Sequence, residues 1–397
     1  MNRARRPSSS RKLATKLLGY LSLVALVGAW WFGYTQSTPF TDALHTHFPS
    51  AKITETPLES GFDVKGDAEI YRVYAAEAQG YGGPLSVVFA LDTNNKVRQL
   101  ELLDHVDTPG YVVNVLNQRF LSRLEGKVIT DGFAINHDVD GISGATLTVV
   151  GITDAVRKAA HEVATDQHLT ASVLPVAWNI GLPDFLIAVL IALVLFERHL
   201  PATLRQYHLV TVGVLSVAVV GYWANMALSV SSVSSFLLGY WPDPRQNPTI
   251  YLILGTVVVG ILWLGKNLYC SHLCPFHHIQ RWAHKLSGNN WPIPDAIKKH
   301  SVDIINVLLW ISLMLIFLSR NPAISGYEPF SMLFSLDGVG VQWYILPLAL
   351  FGSFFVKDFW CRLLCPLGRG INYAVAKRQS VKKILSSELD APKRRKA

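Results

Sequence analysis

Charged side chains make up only 16% of the 397 residues, while apolar ones make up half. That balance excludes an ordinary soluble chain of this length and points to the membrane. The net charge of +8 does not bring in nucleic acid as a partner, because Lys and Arg gather at the two ends and in loops between apolar runs, not on one folded face. Cysteine is scarcer still: there are four, and none precedes Cys270. Disulfides are disfavoured for cysteines on a cytoplasmic face. Histidine is missing from the centre of every long apolar run, which excludes a b-haem held by two histidines inside spans.

What is present is a series of apolar runs around one polar segment. The first run, residues 17–34, follows Arg3, Arg5, Arg6, Arg11, Lys12 and Lys16. No small-x-small cleavage site follows Trp30, Trp31 and Phe32, so this run reads as a retained anchor with an interfacial aromatic belt. Residues 35–174 read as one α+β domain with strands at 69–76, 85–92 and 97–103 and a hairpin turn at Asp92-Thr93-Asn94-Asn95. A helix is expected near 112–121. Another follows Gly144, where Val149, Ile152, Val156, Ala159 and Val163 recur at helical steps.

Further apolar runs at 180–196, 209–228, 250–264, 304–318 and 341–356 can each span or nearly span a core of ~30 Å. With the anchor they predict an all-α membrane domain of six transmembrane helices. Arg198, Arg205, Lys266, Arg281, Lys285, Lys298, Lys299 and the tail to Lys396 fall on one face, against Arg245 and Arg320 on the other. The positive-inside rule then places both termini in the cytoplasm and the α+β domain in the periplasm of a bacterial inner membrane. The expected parts are 1–34 (N-terminus and anchor), 35–174 (extracytoplasmic domain), 175–372 (membrane domain) and 373–397 (basic cytoplasmic tail).

Two segments repeat each other. Lys266-Asn267-Leu268-Tyr269-Cys270-Ser271-His272-Leu273-Cys274-Pro275-Phe276 closes one apolar run, and Lys357-Asp358-Phe359-Trp360-Cys361-Arg362-Leu363-Leu364-Cys365-Pro366-Leu367 closes another. Cysteines four apart on a helix share a face, and the proline after the second stops or bends the helix. Two such ends facing each other would join Cys270, Cys274, Cys361 and Cys365 in a four-thiolate site, suited to an iron-sulfur cluster or to structural zinc. His272, His277, His278 and His284 cluster nearby and read as interfacial side chains, with contact to a quinone or the cluster as the lesser alternative.

The segment Asp140-Gly141-Ile142-Ser143-Gly144-Ala145-Thr146-Leu147-Thr148 precedes the amphipathic helix. Small residues let an anion approach the backbone, and a helix N-terminus offers it free N–H groups. A Ser/Thr helix cap would use the same residues. The segment closely resembles the flavinylation motif of the FMN-binding domain in the C subunit of sodium-translocating NADH:quinone reductase and the G subunit of the Rnf complex. That resemblance implies FMN joined by a phosphoester to Thr146, with Asp140, Gly141, Ser143, Gly144, Ala145, Leu147 and Thr148 around it. Gly80-Tyr81-Gly82-Gly83-Pro84 and Asp107-Thr108-Pro109-Gly110 also look like this domain, which adds Thr108 and Gly110 as flavin contacts. The family usually has Glu where Asp107 stands, and Leu-Gly after the glycine where this chain has Tyr111-Val112.

The flavin domain combined with paired Cys-x-x-x-Cys-Pro segments is similar to the NosR/NirI family of membrane flavoproteins. Members typically add a ferredoxin-like segment with two cysteine-rich motifs, and this sequence ends instead in a basic tail without cysteine. The resemblance implies electron transfer from a quinol or a membrane redox partner through an iron-sulfur site, 4Fe-4S favoured, and covalent FMN to an extracytoplasmic reductase. A flavin transferase would load the FMN, and no nucleic acid is involved. No catalytic residue is assigned. The alternatives are a redox-sensing membrane regulator of a respiratory or denitrification system, and a zinc-binding scaffold without flavin. A cluster on the cytoplasmic face and a flavin beyond the opposite one would lie ~30 Å apart, unless the cysteine-bearing ends dip inward or another carrier bridges them.

Overall fold

In the polar segment the apolar residues alternate, so each strand has two faces to cover. Strands β1 (Lys52–Glu55), β2 (Gly61–Lys65), β3 (Ile70–Gln79), β4 (Pro84–Leu91) and β5 (Val97–His105) form one antiparallel sheet in sequence order. The computed structural model describes residues 9–35, 41–65, 70–107, 109–142, 145–173, 178–325, 327–335, 338 and 340–394. Helix α1 is Ser9–Thr35. On one side of the sheet Phe62, Val64, Val73, Ala75 and Val88 pack with Leu44 of helix α2 (Thr41–His47). On the other, Tyr74, Ala76, Leu85, Val87 and Phe89 meet Val149, Ile152, Val156, Ala159 and Val163 of helix α4 (Thr146–Asp166). Each large apolar side chain so buried contributes roughly 1.5–3 kcal/mol.

The three predicted strands and the hairpin turn form where the sequence placed them. Asp92 makes the turn, its carboxylate accepting from the N–H groups of Asn94 and Lys96, both at 2.9 Å. Helix α3 (Pro109–Asn117) starts earlier than expected, because a proline is favoured in a first helical turn. Strands β1 and β2 and helix α2 were not anticipated.

Beyond residue 178 the chain is mostly helical: α5 (Leu182–Phe196), α6 (Ala202–Leu215), α7 (Val230–Leu238), α8 (Pro248–Val259), α9 (Pro275–Ser287), α10 (Asp295–Ser319), α11 (Phe330–Ser335), α12 (Gln342–Phe355), α13 (Phe359–Leu363) and α14 (Pro366–Arg394). By length and composition Lys16–Thr35, Ala202–Trp223 and Asp295–Ser319 can cross a membrane. Pro248–Leu264, Gln342–Phe355 and the 15-residue α5 are apolar but shorter. Helix α1 lies along α10, with Gly33 where any side chain would strike the Phe317 carbonyl, and its outer Leu and Val side chains are exposed as on a lipid-facing helix.

The run at 209–228 is not one helix. Helix α6 continues as a π-helix over Ser216–Trp223 and then stops, because Asn225 takes a left-handed conformation (φ 49°) and Ser229 caps α7 by accepting from Ser232 N–H. Residues 224–229 are left as a non-helical strap.

The contact between α4 and the sheet is tight at Gly151, where an added Cβ would lie 2.8 Å from the Gln79 carbonyl oxygen and 3.0 Å from Gly80 Cα. Backbone on both sides cannot yield cheaply. Gly151→Val is expected to cost about 1–3 kcal/mol, read as a lowered melting temperature of the purified protein.

Candidate functional site

Both cysteine motifs are built alike, and differently from the expectation that they close the preceding helix. After α8 and its π-helical end Gly260–Leu264, Gly265 is left-handed (φ 64°) and breaks the helix. A separate π turn, Tyr269–Leu273, carries Cys270, and Cys274 is extended just before Pro275 opens α9. In the second copy Asp358 is left-handed (φ 55°), α13 carries Cys361, and Pro366 opens α14 directly after Cys365. The prolines therefore start the next helix at a position where no N–H is needed. The π turn is fastened by Ser216 Oγ, which donates to the Leu273 carbonyl at 2.7 Å.

All four cysteines line one cavity of about 320 Å³, together with Leu228, Tyr269, His277, Phe330 and Asp358. A Cβ placed on Gly368 would lie 3.5 Å from Cys365 Sγ and 3.7 Å from Cys270 Sγ, so the sulfurs face each other across a small space. Among the described residues no three Cys, His, Asp or Glu side chains converge on one ion. Four thiols around one cavity are the ligand set of an iron-sulfur cluster and one of those used for structural zinc. Cluster chemistry suits the donors too: Gly368 N–H donates to Cys365 Sγ at 3.3 Å and Gln280 Nε2 donates to Cys361 Sγ at 3.2 Å.

Gln280 was not found by sequence reasoning, and His277 was read there as an interfacial side chain. Gln280 is fully buried on α9, and its Oε1 accepts from Trp360 N–H at 2.9 Å and from Ser353 Oγ at 3.3 Å. It thus ties the two copies of the repeat together beside Cys361. A single polar residue in an amphipathic helix gives no signal of that role. His277 Nδ1 lies 3.9 Å from Cys361 Sγ. His272 pairs with Glu197 at 2.8 Å and His278 Nε2 bonds the His272 carbonyl at 2.8 Å.

In the α+β domain, Thr146 is the first residue of α4. The cap is Ala145, which has no side-chain bond to offer, so the capping role expected of a Ser/Thr segment is not filled by the residue in that position. Thr146 is half-buried and lines a small cavity with Tyr81, Tyr111, Ala145, Leu147, Thr148 and residues 224–226 of the strap. At about 40 Å³ the cavity is little more than the ~30 Å³ share of one liquid water. The N–H groups of the α4 N-terminus at its wall are the kind that receive a phosphate. The residues fit the group to that extent.

Thr148 is committed elsewhere. It is buried and donates to Asp107 Oδ2 at 2.7 Å, and the same carboxylate accepts from the N–H groups of Tyr81 at 3.1 Å and Gly82 at 2.6 Å. Asp107, where the family has Glu, therefore fastens the glycine-rich turn to α4. The Arg123 guanidinium donates to the carbonyls of Asp140 and Gly141 at 3.0 and 3.2 Å. Gly110 is buried in the first turn of α3. Thr108, Ser143 and Gly144 lie outside the described residues.

The two sites are neighbours. Tyr111 Oη donates to the Asn225 carbonyl at 2.7 Å, and Leu228 N–H donates to Tyr269 Oη at 2.7 Å. The strap therefore borders the Thr146 cavity at 224–226 and the cysteine cavity at Leu228. Met226 and Leu228 are two residues apart, so their Cα atoms are separated by at most ~7 Å. The two cavities therefore adjoin one strap, and the ~30 Å separation expected above does not arise.

The chain matches the family described as FMN-binding domain over residues 80–161 and the family described as 4Fe-4S binding domain over 246–294 and 343–369. Protein NirI of Paracoccus denitrificans is 32% identical over 200 residues, covering 46% of this chain and 29% of that protein. Regulatory protein NosR of Stutzerimonas stutzeri is 28% identical over 174 residues, 40% of this chain and 24% of that protein. The G subunit of the proton-translocating ferredoxin:NAD(+) oxidoreductase complex of Clostridium ljungdahlii is 29% identical over 107 residues, 25% of this chain and 57% of that protein. The chain spans less than a third of the length of the first two. A flavin-type domain seated on apolar helices that carry a four-thiol cavity defines the class: a membrane protein with an FMN-binding and a 4Fe-4S binding domain. In the matched segments the chain is similar to FMN-binding membrane proteins of the NosR/NirI type.

Two substitutions probe the supports just described. Asp107→Ala leaves three buried donors without their acceptor and is expected to cost at least about 1–3 kcal/mol, measured by thermal unfolding. Gln280→Leu removes a donor from Cys361 and an acceptor from Trp360 N–H. Iron should be lost to a chelator several-fold faster than from the parent protein, with the α+β domain unaffected.

Proposed function

We propose that this protein is a membrane electron-transfer protein in which Cys270, Cys274, Cys361 and Cys365 hold one iron-sulfur cluster and Thr146 carries FMN as a phosphoester. The observation that supports this best is the strap at 224–229, which borders both cavities. FMN takes electrons singly or in pairs and a cluster passes them one at a time, so together they join one-electron and two-electron partners. The chain's part is to hold and insulate both. The cysteine thiolates ligate, Gln280 and the Gly368 N–H support their sulfurs, and the Tyr269 and Tyr111 hydroxyls fix the strap between the pockets.

On this reading electrons come from a quinol or a membrane partner and leave to an extracytoplasmic reductase, after a flavin transferase has loaded Thr146. The chain has six spans in total, the N-terminal anchor included, with both termini cytoplasmic and the flavin domain periplasmic, as the loop charges favour. The word "regulatory" in the name of the NosR relative favours one rival, a redox sensor. It would load the same cofactors and show no steady turnover between a quinol and an external acceptor.

Protein produced with a flavin transferase should keep flavin fluorescence after denaturing electrophoresis. Thr146→Ala should lose it and Thr148→Ala should keep it, since Thr148 is buried on Asp107; fluorescence in the Thr146 variant would move the acceptor. Anaerobically purified protein should contain iron and sulfide and give a paramagnetic signal on reduction. Cys270→Ala and Cys361→Ala should each abolish or destabilise that signal, because three thiolates leave one iron open. Stoichiometric zinc without iron, or a full cluster surviving in either variant, would sink the shared site.

A further inference from the structure

Between the two cavities sits a carboxyl group that neither uses. Glu328, in the connection between α10 and α11, is 3% exposed. Its Oε2 accepts from Val230 N–H at 2.7 Å, while its Oε1 has no partner among the described residues. Glu328 lines a further cavity whose other walls include Tyr81 and Tyr111 of the flavin domain, Ser229 and Ser231 of the α7 end, and Phe330 and Ser331 of α11. Tyr81 and Tyr111 also line the Thr146 cavity, and Phe330 also lines the cysteine cavity. Glu328 therefore borders a space wedged between both proposed redox sites.

Among the described residues no Lys, Arg or His lines this space. The titratable groups around Glu328 are phenols, Tyr81 and Tyr111 from the flavin domain and Tyr327 beside it. The Asp107 carboxylate lies behind Tyr81, and Cys365 is near enough to feel the Glu328 charge. An isolated carboxylate buried with no counter-charge is costly, so such a group binds a proton instead. An electron added at either neighbouring site is a negative charge in the same weakly screened region, and it must raise the proton affinity further. Hydroxyls are also in place to relay a proton: Tyr81 Oη lies 3.0 Å from Ser232 Oγ, which lies 2.9 Å from Ser229 Oγ at the cavity wall.

We infer that Glu328 is a proton-binding site that takes up one proton when an adjoining redox site gains an electron. This rests on the proposed electron-transfer reading and adds charge compensation to it. The step is balanced: the ionised carboxyl group and one proton from water give the neutral acid, while one electron from the donor goes to the cofactor and not to the glutamate. Burial pushes the Glu328 carboxyl up to about 8. Well below that pH it holds its proton in both redox states, and reduction takes up none. Above it, the oxidised protein is ionised there and reduction draws a proton in.

The test is a redox titration of the cluster signal at pH values from about 6.5 to about 9.5, with the full chain and with Glu328→Gln, iron and flavin being assayed in both. The parent potential should be flat at low pH and fall as pH rises through about 8, and the glutamine variant should stay flat throughout. A flat profile in the parent, or a slope retained in a fully loaded variant, would overturn the inference and leave the electron-transfer reading intact. Parent protein without iron and flavin would overturn both. If the variant does not fold, redox-induced infrared difference spectra of the parent above pH 8 decide. A carboxylic-acid carbonyl band that appears on reduction and shifts in heavy water supports the site, and its absence overturns it.

Discussion

Two tyrosine hydroxyls hold the strap at residues 224–229, and the relation between the domains depends on that strap. Tyr111 donates to the Asn225 carbonyl from the flavin side, and Tyr269 accepts from Leu228 N–H from the cysteine side, both at 2.7 Å. Non-helical backbone within an apolar helical region needs partners for its polar groups, and these two bonds supply part of that requirement. In doing so they set a limit on the distance between the two cavities. A continuous helix through residue 228 would satisfy its own hydrogen bonds and leave neither tyrosine a backbone group to bind at these positions.

The strap is possible because the neighbouring elements are interrupted in the same way. Helix α6 loosens into a π-helix before it stops, α8 does the same before Gly265, and Cys270 rides on a third π turn. Such turns are rare and gather at functional sites. Each leaves carbonyls that side chains must reach, as Ser216 reaches the Leu273 carbonyl. The flavin domain then sits on α7 through hydroxyls, Tyr81 against Ser232 and Ser235 against the Gly82 carbonyl. This hydroxyl-lined interface offers a buried carboxyl group no basic side chain as counter-ion among the described residues. That is why an unpaired carboxyl such as Glu328 matters there and would not matter on a surface.

Asp107 illustrates how a departure from a family pattern becomes intelligible. Its side chain gathers three donors, from Tyr81, Gly82 and Thr148, so the glycine turn, the Asp-Thr-Pro-Gly segment and α4 are one unit. The shorter acid lies close to the turn, with Gly80 leaving room for its Oδ2 where a Cβ would come within 2.6 Å. Thr146 is left as the half-buried hydroxyl of the pair, facing the small cavity.

The sequence alone determined the parts. Alternating apolar residues marked β3, β4 and β5, a helical period marked α4, and long apolar runs marked the membrane helices, because each pattern reflects which face of a local element must leave water. The duplicated Lys-to-Pro segments grouped the four cysteines into two matching pairs, and the structure sets all four around one cavity. The tertiary structure decided what no local pattern encodes. The run at 209–228 breaks at Asn225 because Tyr111 and Tyr269, distant in sequence, bind the opened backbone. Gln280 supports Cys361 only because α9 folds back against α12 and α13, and Glu328 lies between two cavities only because the flavin domain closes over α7. A residue's own sequence neighbours carry its preference for helix or strand. They carry nothing about which partner satisfies a buried polar group, and that is where the two sites and the glutamate between them were set.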